Sequence, residues 1–231
     1  MEYERETLGL KYQMFVLIEW LRKYITCDYK DRIAVTTSCG IDSAVLLFMV
    51  TKIDPAIPVF FGDTGMHFPE TLAYMDTLVD RFKLTNIHVI QTDPEVLRVN
   101  DPESLLWRLD TDACCDMRKV EPLRQIVGLH AAWITGRKRY QGGSRKDLSL
   151  IEDYGDQIKI NPLACMKLAD IRVCFDMFDL PRHPLADRYT SIGCRNCTKP
   201  NSSSDPDKLR DGRWPHVEGK NECGLHTRRE P

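Results

Sequence analysis

The sequence predicts an α/β protein with a parallel sheet and helices on both faces. Three observations carry this. Short apolar or β-branched runs recur near residues 33–36, 57–61, 87–90 and 131–135, each the length of a buried strand. Helical patterns and helix-start signals lie between them, and such alternation builds parallel sheets covered on both sides. The first strand also runs into a polar turn, Ser38-Cys39-Gly40-Ile41-Asp42-Ser43, and then into an apolar stretch long enough for a helix.

The elements follow in chain order. Met14, Phe15, Ile18, Leu21 and Ile25 recur at helical spacing, so residues 11–25 read as an amphipathic helix. The strand–turn–helix unit at 32–47 is suited to an anion. A helix N-terminus leaves backbone N–H groups without partners, Gly40 admits close approach, and Ser38 and Ser43 add hydroxyl donors. The second strand, 57–61, ends in Gly62-Asp63-Thr64-Gly65, and a helix starts near Pro69. A strand at 87–90, a helix over 114–127 and a strand at 131–135 complete the pattern. Ligands of parallel sheets sit beyond the carboxyl ends of strands, where 38–43, 63–65 and 136–139 all fall. Past Pro184 the character changes, and 200–213 is polar and rich in Ser, Asp and Lys. The expected organisation is a nucleotide-binding α/β domain over 1–199, carrying the metal-ligand cysteines, and a mobile C-terminal tail over 200–231.

At 231 residues, 42% hydrophobic and net charge −2, the chain belongs to the soluble globular class and lacks a global nucleic-acid footprint. No apolar run approaches the roughly 18–20 residues of a membrane span. The start, Met1-Glu2-Tyr3-Glu4-Arg5-Glu6, is acidic and unlike a secretory signal, so the cytoplasm is the expected location. In a reducing compartment nine cysteines point to metal ligands or reactive thiols rather than disulfides.

The cysteines divide by spacing. Cys114-Cys115 and Cys194-x-x-Cys197 form a split set of four, which suits structural zinc or an iron–sulfur cluster. Cys27, Cys39, Cys165 and Cys174 lack such spacing and read as packing or loop residues. Cys223, within Glu222-Cys223-Gly224-Leu225-His226, is open to two readings. It is a metal ligand paired with His226, or a nucleophile whose thiolate His226 or Arg228 favours. Lys119, Arg137, Lys138, Arg139, Arg145, Arg210 and Arg213 gather near the predicted strand ends and the tail, as a small polyanion requires. Trp214 either covers a base or anchors the tail.

The 38–43 turn matches neither Gly-x-x-x-x-Gly-Lys-Ser/Thr nor Gly-x-Gly-x-x-Gly, and it resembles the PP-loop of adenine-nucleotide α-hydrolase-like enzymes. Further motifs are Asp63-Thr64-Gly65, Cys114-Cys115 with Lys119 and Glu121-Pro122, and Ile134-Thr135-Gly136. Ser191-Ile192-Gly193-Cys194-x-x-Cys197-Thr198, Gly212-Arg213-Trp214 and the Glu222–His226 pentapeptide complete the set. Together they resemble the assimilatory adenylyl-sulfate (APS) and 3′-phosphoadenylyl-sulfate (PAPS) reductases of the iron–sulfur type.

The resemblance implies a [4Fe–4S] cluster on Cys114, Cys115, Cys194 and Cys197, and it makes Cys223 the nucleophile. It implies a substrate site drawn from Ser38, Gly40, Asp42, Ser43, Asp63, Thr64, Gly65, Lys119, Arg139, Arg145, Arg210, Arg213 and His226. The implied reaction is thiol-dependent reduction of APS to sulfite and AMP through an S-sulfocysteine, with thioredoxin or a similar dithiol protein as partner. Retention of all four cysteines favours APS, with PAPS or both nucleotides as alternatives. No nucleic acid or membrane partner is implied, and homo-oligomerisation is left open. Departures from the family pattern are Gly62, Lys138, Tyr140 and Gly142-Gly143. There are two rival readings. One is a PP-loop ATP-dependent sulfur transferase acting on tRNA, and the net charge of −2 counts against its basic RNA-binding surface. The other is a non-catalytic zinc-binding redox or interaction protein on a decayed α/β scaffold, which the intact tail motif counts against.

Overall fold

The computed structural model of the chain describes residues 2–203, 205 and 208–226. Its strands are β1 (Ile33–Thr37), β2 (Val59–Gly62), β3 (Ile87–Ile90), β4 (Ala132–Thr135), β5 (Ile151–Asp153) and β6 (Ile158–Ile160). They form one sheet in the order β3-β2-β1-β4-β6-β5. All neighbours are parallel except β5, which pairs antiparallel with β6 at the edge. That hairpin departs from the expected all-parallel sheet, and its two three-residue strands are too short to show a period in the sequence.

The period-two geometry of strands divides the apolar residues cleanly. Ile33, Val35, Val59, Phe61, Ala132 and Ile134 enter one core, which α1 (Glu2–Lys23), α2 (Ser43–Thr51), α3 (Pro69–Phe82) and α8 (Leu168–Met177) cover. Ala34, Phe60 and Trp133 point to the other face and pack with Val120, Leu123 and Val127 on and beside α7 (Glu121–Val127). Helices therefore flank both faces, as expected. Between β3 and α7 lie three short helices, α4 (Pro94–Asn100), α5 (Leu106–Leu109) and α6 (Thr111–Cys115).

From β1 the chain winds one way to β2 and β3 and then returns to build β4, β6 and β5 on the other side. This puts the topological switch point between β1 and β4, whose register pairs Thr36 with Thr135. The loops after both strands thus emerge side by side, and a crevice forms between them.

Residues 208–226 lie on this crevice. Leu209, Trp214 and Leu225 are buried, and Leu225 joins the second core. Backbone bonds from Lys199 N to Gly212 O and from Trp214 N to Cys197 O pin the segment to the Cys194–Cys197 loop. Residues 227–231, including Arg228, lie outside the described residues, as do 204, 206 and 207. Among the described residues no helix is long and apolar enough to cross a membrane.

Candidate active site

The floor of the crevice is the turn between β1 and α2. Thr37 Oγ1 accepts from Cys39 N at 3.1 Å, and Ser43 N donates to Gly40 O at 3.1 Å, which closes the turn onto the helix. Asp42 stands at the N-cap of α2 without capping it. Its carboxylate instead accepts from Lys138 Nζ at 2.9 Å and from Tyr140 Oη at 2.7 Å, tying the loop after β1 to the loop after β4. Burial pulls the Lys138 ammonium down, and Asp42 opposes that pull. Tyr140, one of the departures noted above, supplies the second bond. Beside them Arg137 pairs with Glu152 and lies 3.4 Å from Asn161 Oδ1, which also accepts from Thr135 Oγ1 at 2.6 Å.

One cavity joins this floor to the tail. Seven cationic side chains line it (Arg118, Lys119, Arg137, Lys138, Arg145, Arg210 and Arg213) against two carboxylates, Asp42 and Glu222. A chain of net charge −2 thus concentrates positive charge at one place. Burial and the neighbouring Arg145 depress the Arg210 guanidinium to about 9, a sign of how crowded the cations are. Buried nitrogens of Arg137, Arg210, Arg213, His67 and His226 have no protein partner. Buried donors without acceptors are costly, and a ligand rich in anionic oxygens would satisfy them.

The tail contributes both charge and closure. Glu222 accepts from Arg145 through both oxygens, at 2.9 Å for Nη2, and lies 3.7 Å from Arg210. Arg210 also donates to Asn221 O at 2.6 Å. Arg213 donates to Ile192 O at 3.0 Å and lies 4.4 Å over the ring of Trp214, which is buried against the tail and also lines the cavity. Gly193 makes room for this guanidinium, since a Cβ there would lie 2.0 Å from Arg213 Nη2.

All five remaining chemistry-bearing cysteines face the same cavity. Cys114 and Cys115 end α6, which Asp110 caps by accepting from Ala113 N at 2.9 Å. A π-helical turn, Asp116–Val120, follows and carries Arg118 and Lys119. Such turns recur where a helix must re-aim side chains. Arg118 donates to Asp101 at 2.6 Å and to Thr64 O at 3.2 Å, and Thr64 Oγ1 lies 3.2 Å from Cys194 Sγ.

Burial raises Cys114 and Cys197 to about 12 and Cys115 to about 11, and neighbouring thiols of the set push each higher. Thiols raised in this way fit a bound cationic group, which would stabilise the thiolates. Among the described residues no three such side chains converge to suit a single metal ion.

Cys223 behaves differently. Burial pushes its thiol up, but Lys119, the Leu225 N–H and Arg213 together outweigh burial and Glu222, and the thiol is lowered. His226 stacks on Trp133, with centroids 5.5 Å apart and planes 11° apart. Burial, then Arg137 and Lys159, press its imidazole well below the ordinary value. It is a neutral ring at working pH rather than a cation beside the thiol.

Most of the residues expected at the site meet here: Ser38, Gly40, Asp42, Ser43, Thr64, Lys119, Arg145, Arg210, Arg213, His226 and the five cysteines. Three do not line the cavity. Asp63 accepts from Gly65 N at 2.9 Å and Gln91 Nε2 at 2.7 Å, so it shapes its turn, and Gly65 is exposed at φ +69°. Arg139 is exposed and donates to Leu148 O at 2.7 Å. The sequence reading did not select Arg118 or Lys220. Arg118 stands four residues after Cys114, a spacing that places both on one helix face, and this was the available signal. Lys220 pairs with Asp112 across the tail, and nothing local in the sequence marks it.

The phosphoadenosine phosphosulfate reductase domain family matches residues 32–200. An adenosine 5′-phosphosulfate reductase of Mesorhizobium japonicum is 47% identical over 199 residues, covering 86% of this chain and 77% of the relative. One from Geobacillus kaustophilus is 36% identical, covering 86% of this chain and 85% of the relative. Among solved structures, a phosphoadenylyl-sulfate reductase of Candida auris, in a phosphate complex, superposes with a TM-score of 0.64 at 26% identity. It covers 78% of this chain and 88% of that one. An FMN adenylyltransferase of Candida glabrata gives 0.57 at 16% identity, covering 83% and 67%, a likeness of fold alone.

Proposed function

The chain belongs to the phosphoadenosine phosphosulfate reductase family, and on that premise we propose how its residues reduce APS to sulfite and AMP in assimilatory sulfate reduction. The observation that carries the proposal is the placement of one thiol, Cys223, in the cavity that Lys119, Arg145, Arg210 and Arg213 line. Burial raises Cys39, Cys114, Cys115, Cys174 and Cys197, while Cys223 beside Lys119 is lowered. A thiolate is the nucleophilic form of cysteine, so Cys223 is the attacking group.

In the first half-reaction Cys223 Sγ attacks the sulfate sulfur. An S–S bond forms, the S–O bond to the phosphate breaks, and AMP leaves with that oxygen and its electron pair. Lys119, Arg145, Arg210 and Arg213 hold the sulfate and phosphate oxygens and balance their charge, while Ser38, Gly40 and Ser43 seat the nucleotide at the α2 N-terminus. In the second half-reaction a dithiol protein, thioredoxin by family analogy, attacks the Cys223 sulfur and sulfite leaves. Its second thiol then resolves the mixed disulfide, so the dithiol provides the two electrons.

The donor set supports Cys114, Cys115, Cys194 and Cys197 as holders of a [4Fe–4S] cluster, which when bound would supply a compact charged group beside Lys119. The segment that carries Cys223 acts as a lid on the 1–199 domain, closing for attack and opening for the dithiol partner. Free-thiol chemistry throughout suits a reducing, cytoplasmic location. PAPS carries an added 3′-phosphate that needs its own cations. The curated relatives named for APS favour APS as the substrate.

The test is intact-mass analysis after treatment with APS in the absence of reductant. A sulfo adduct on Cys223, released as sulfite by a dithiol protein, is expected. An adduct on another cysteine, or none with either nucleotide, would refute the assignment.

A further inference from the structure

The segment that carries Cys223 is held by its backbone. Three side chains from separate parts of the fold donate to three successive carbonyls just beyond it. Arg124 Nη2, on α7, reaches Gly224 O at 2.9 Å; Tyr154 Oη, next after β5, reaches Leu225 O at 3.3 Å; Lys159 Nζ, on β6, reaches His226 O at 3.4 Å. Gly224 takes φ +89°, a conformation that suits glycine and reverses the chain at the first of these contacts. Below them Leu225 is buried in the second core and His226 lies flat on Trp133.

Lys159 is the informative member. It is wholly buried on a strand, with Nζ 3.7 Å from the Tyr154 ring centroid and 4.9 Å from that of Trp133. Burying an ammonium is costly, and packing alone would favour an aliphatic side chain at this place. This ammonium donates a hydrogen bond to the tail, and the aromatic faces partly compensate its charge.

We propose that Arg124, Tyr154 and Lys159 are positioning residues that form a dock reading the main-chain carbonyls of residues 224–226, and so set Cys223 for attack. The dock rests on Cys223 being the nucleophile, and it adds a specific latch to the lid. Latching acts on the first half-reaction only, because the second requires the tail to be free.

The test uses anaerobic holoenzyme with Tyr154→Phe, Lys159→Met and the double variant. Three rates are measured: alkylation of Cys223 by iodoacetamide, mapped by peptide mass; sulfo-adduct formation in a single turnover with APS; and sulfite release from preformed adduct by a dithiol protein. Loss of one hydrogen bond is expected to speed alkylation and slow adduct formation by about two- to tenfold, with a larger change in the double variant. Sulfite release is expected at the wild-type rate, and the thermal midpoint of Lys159→Met is expected to hold or rise. Wild-type alkylation and adduct rates in the double variant would overturn the dock. Equal slowing of both half-reactions together with a lowered midpoint would also overturn it, by assigning the residues a structural role. An adduct on a different cysteine would overturn the nucleophile assignment, whereas the alkylation rates test the dock without any turnover.

Discussion

Gly193 and Arg213 make a prediction that can be worked from distances. A Cβ on residue 193 would sit 2.0 Å from Arg213 Nη2, 2.4 Å from Cζ and 2.8 Å from Nη1, where ordinary contact begins at 3.4 Å. Gly193→Ala must therefore drive the guanidinium back by about 1 Å or more. That displacement breaks the bond to Ile192 O and slides the group off Trp214. A charged hydrogen bond contributes about 1.5–3 kcal/mol and a cation–π contact about 0.5–2 kcal/mol, so roughly 2–5 kcal/mol of placement is at stake. If about half of this appears as lost oxygen binding, kcat/KM for APS falls roughly 5- to 70-fold. Arg213→Ala should cost at least as much. In that background Gly193→Ala should be nearly silent, because the clashing group is gone, giving a coupling energy of about 1–3 kcal/mol. The assay is sulfite formation by the four proteins of the cycle, with iron and sulfide measured in each because Cys194 is the next residue. Strict additivity, or Gly193→Ala at wild-type kcat/KM, would refute the steric argument.

Four further outcomes are expected. Asp42→Asn leaves the buried Lys138 ammonium without its carboxylate and should cost about 3–5 kcal/mol in urea unfolding, largely recovered in Asp42→Asn/Lys138→Met; equal stability of single and double variants would count against the pairing. Lys119→Met removes the main acidifying neighbour of Cys223, so the pH profile of Cys223 alkylation should move to higher pH, and an unmoved profile would exclude that role. Cys197→Ser should lose iron and sulfide, about four of each per chain in the parent, whereas Cys223→Ser keeps both; stoichiometric zinc without sulfide would defeat the cluster. Burial lowers Lys159 to about 7, against about 10.4 in an unfolded chain, so between those values the unfolded state binds more protons and this residue's contribution to stability rises with pH. Lys159→Met should flatten that rise, which equilibrium unfolding from pH 7 to 10 would detect.

The central strands β1, β2 and β4 were legible because they are buried on both faces and therefore largely apolar, and the edge strand β3 because its short apolar run stands between two turns. The 87–90 strand coincides with β3, and the second and fourth begin within two residues of their expected starts. The β5–β6 hairpin was not legible, and neither was the depth to which the tail packs. Its polar composition hides three widely spaced anchors, Leu209, Trp214 and Leu225, that bury separately. Motif spacing brought the five cysteines and most of the cations to one cavity, but it could not separate a residue that faces the cavity from one that makes the turn. Asp63 turned out to belong to the turn, and among the three consecutive cations after β4 it is Arg137 and Lys138 that line the cavity while Arg139 faces outward. The pairing of Asp42 with Lys138 and Tyr140 spans 96 and 98 residues, beyond the reach of any local pattern.

The bonds from Asp42 to Lys138 and Tyr140 lock together two loops that both rise from the central strands. The nucleotide end of the cavity is thereby preorganised, and its ordering cost is met during folding rather than on binding. Cys223, by contrast, is followed by a stretch whose carbonyls Arg124, Tyr154 and Lys159 hold from outside the cavity. If Cys223 is the nucleophile, the locked loops bear mainly on affinity for the nucleotide and these three side chains mainly on the speed of sulfur transfer. Changes at the three can then raise or lower turnover with little effect on the groups that hold the nucleotide, so selection can tune the two quantities separately.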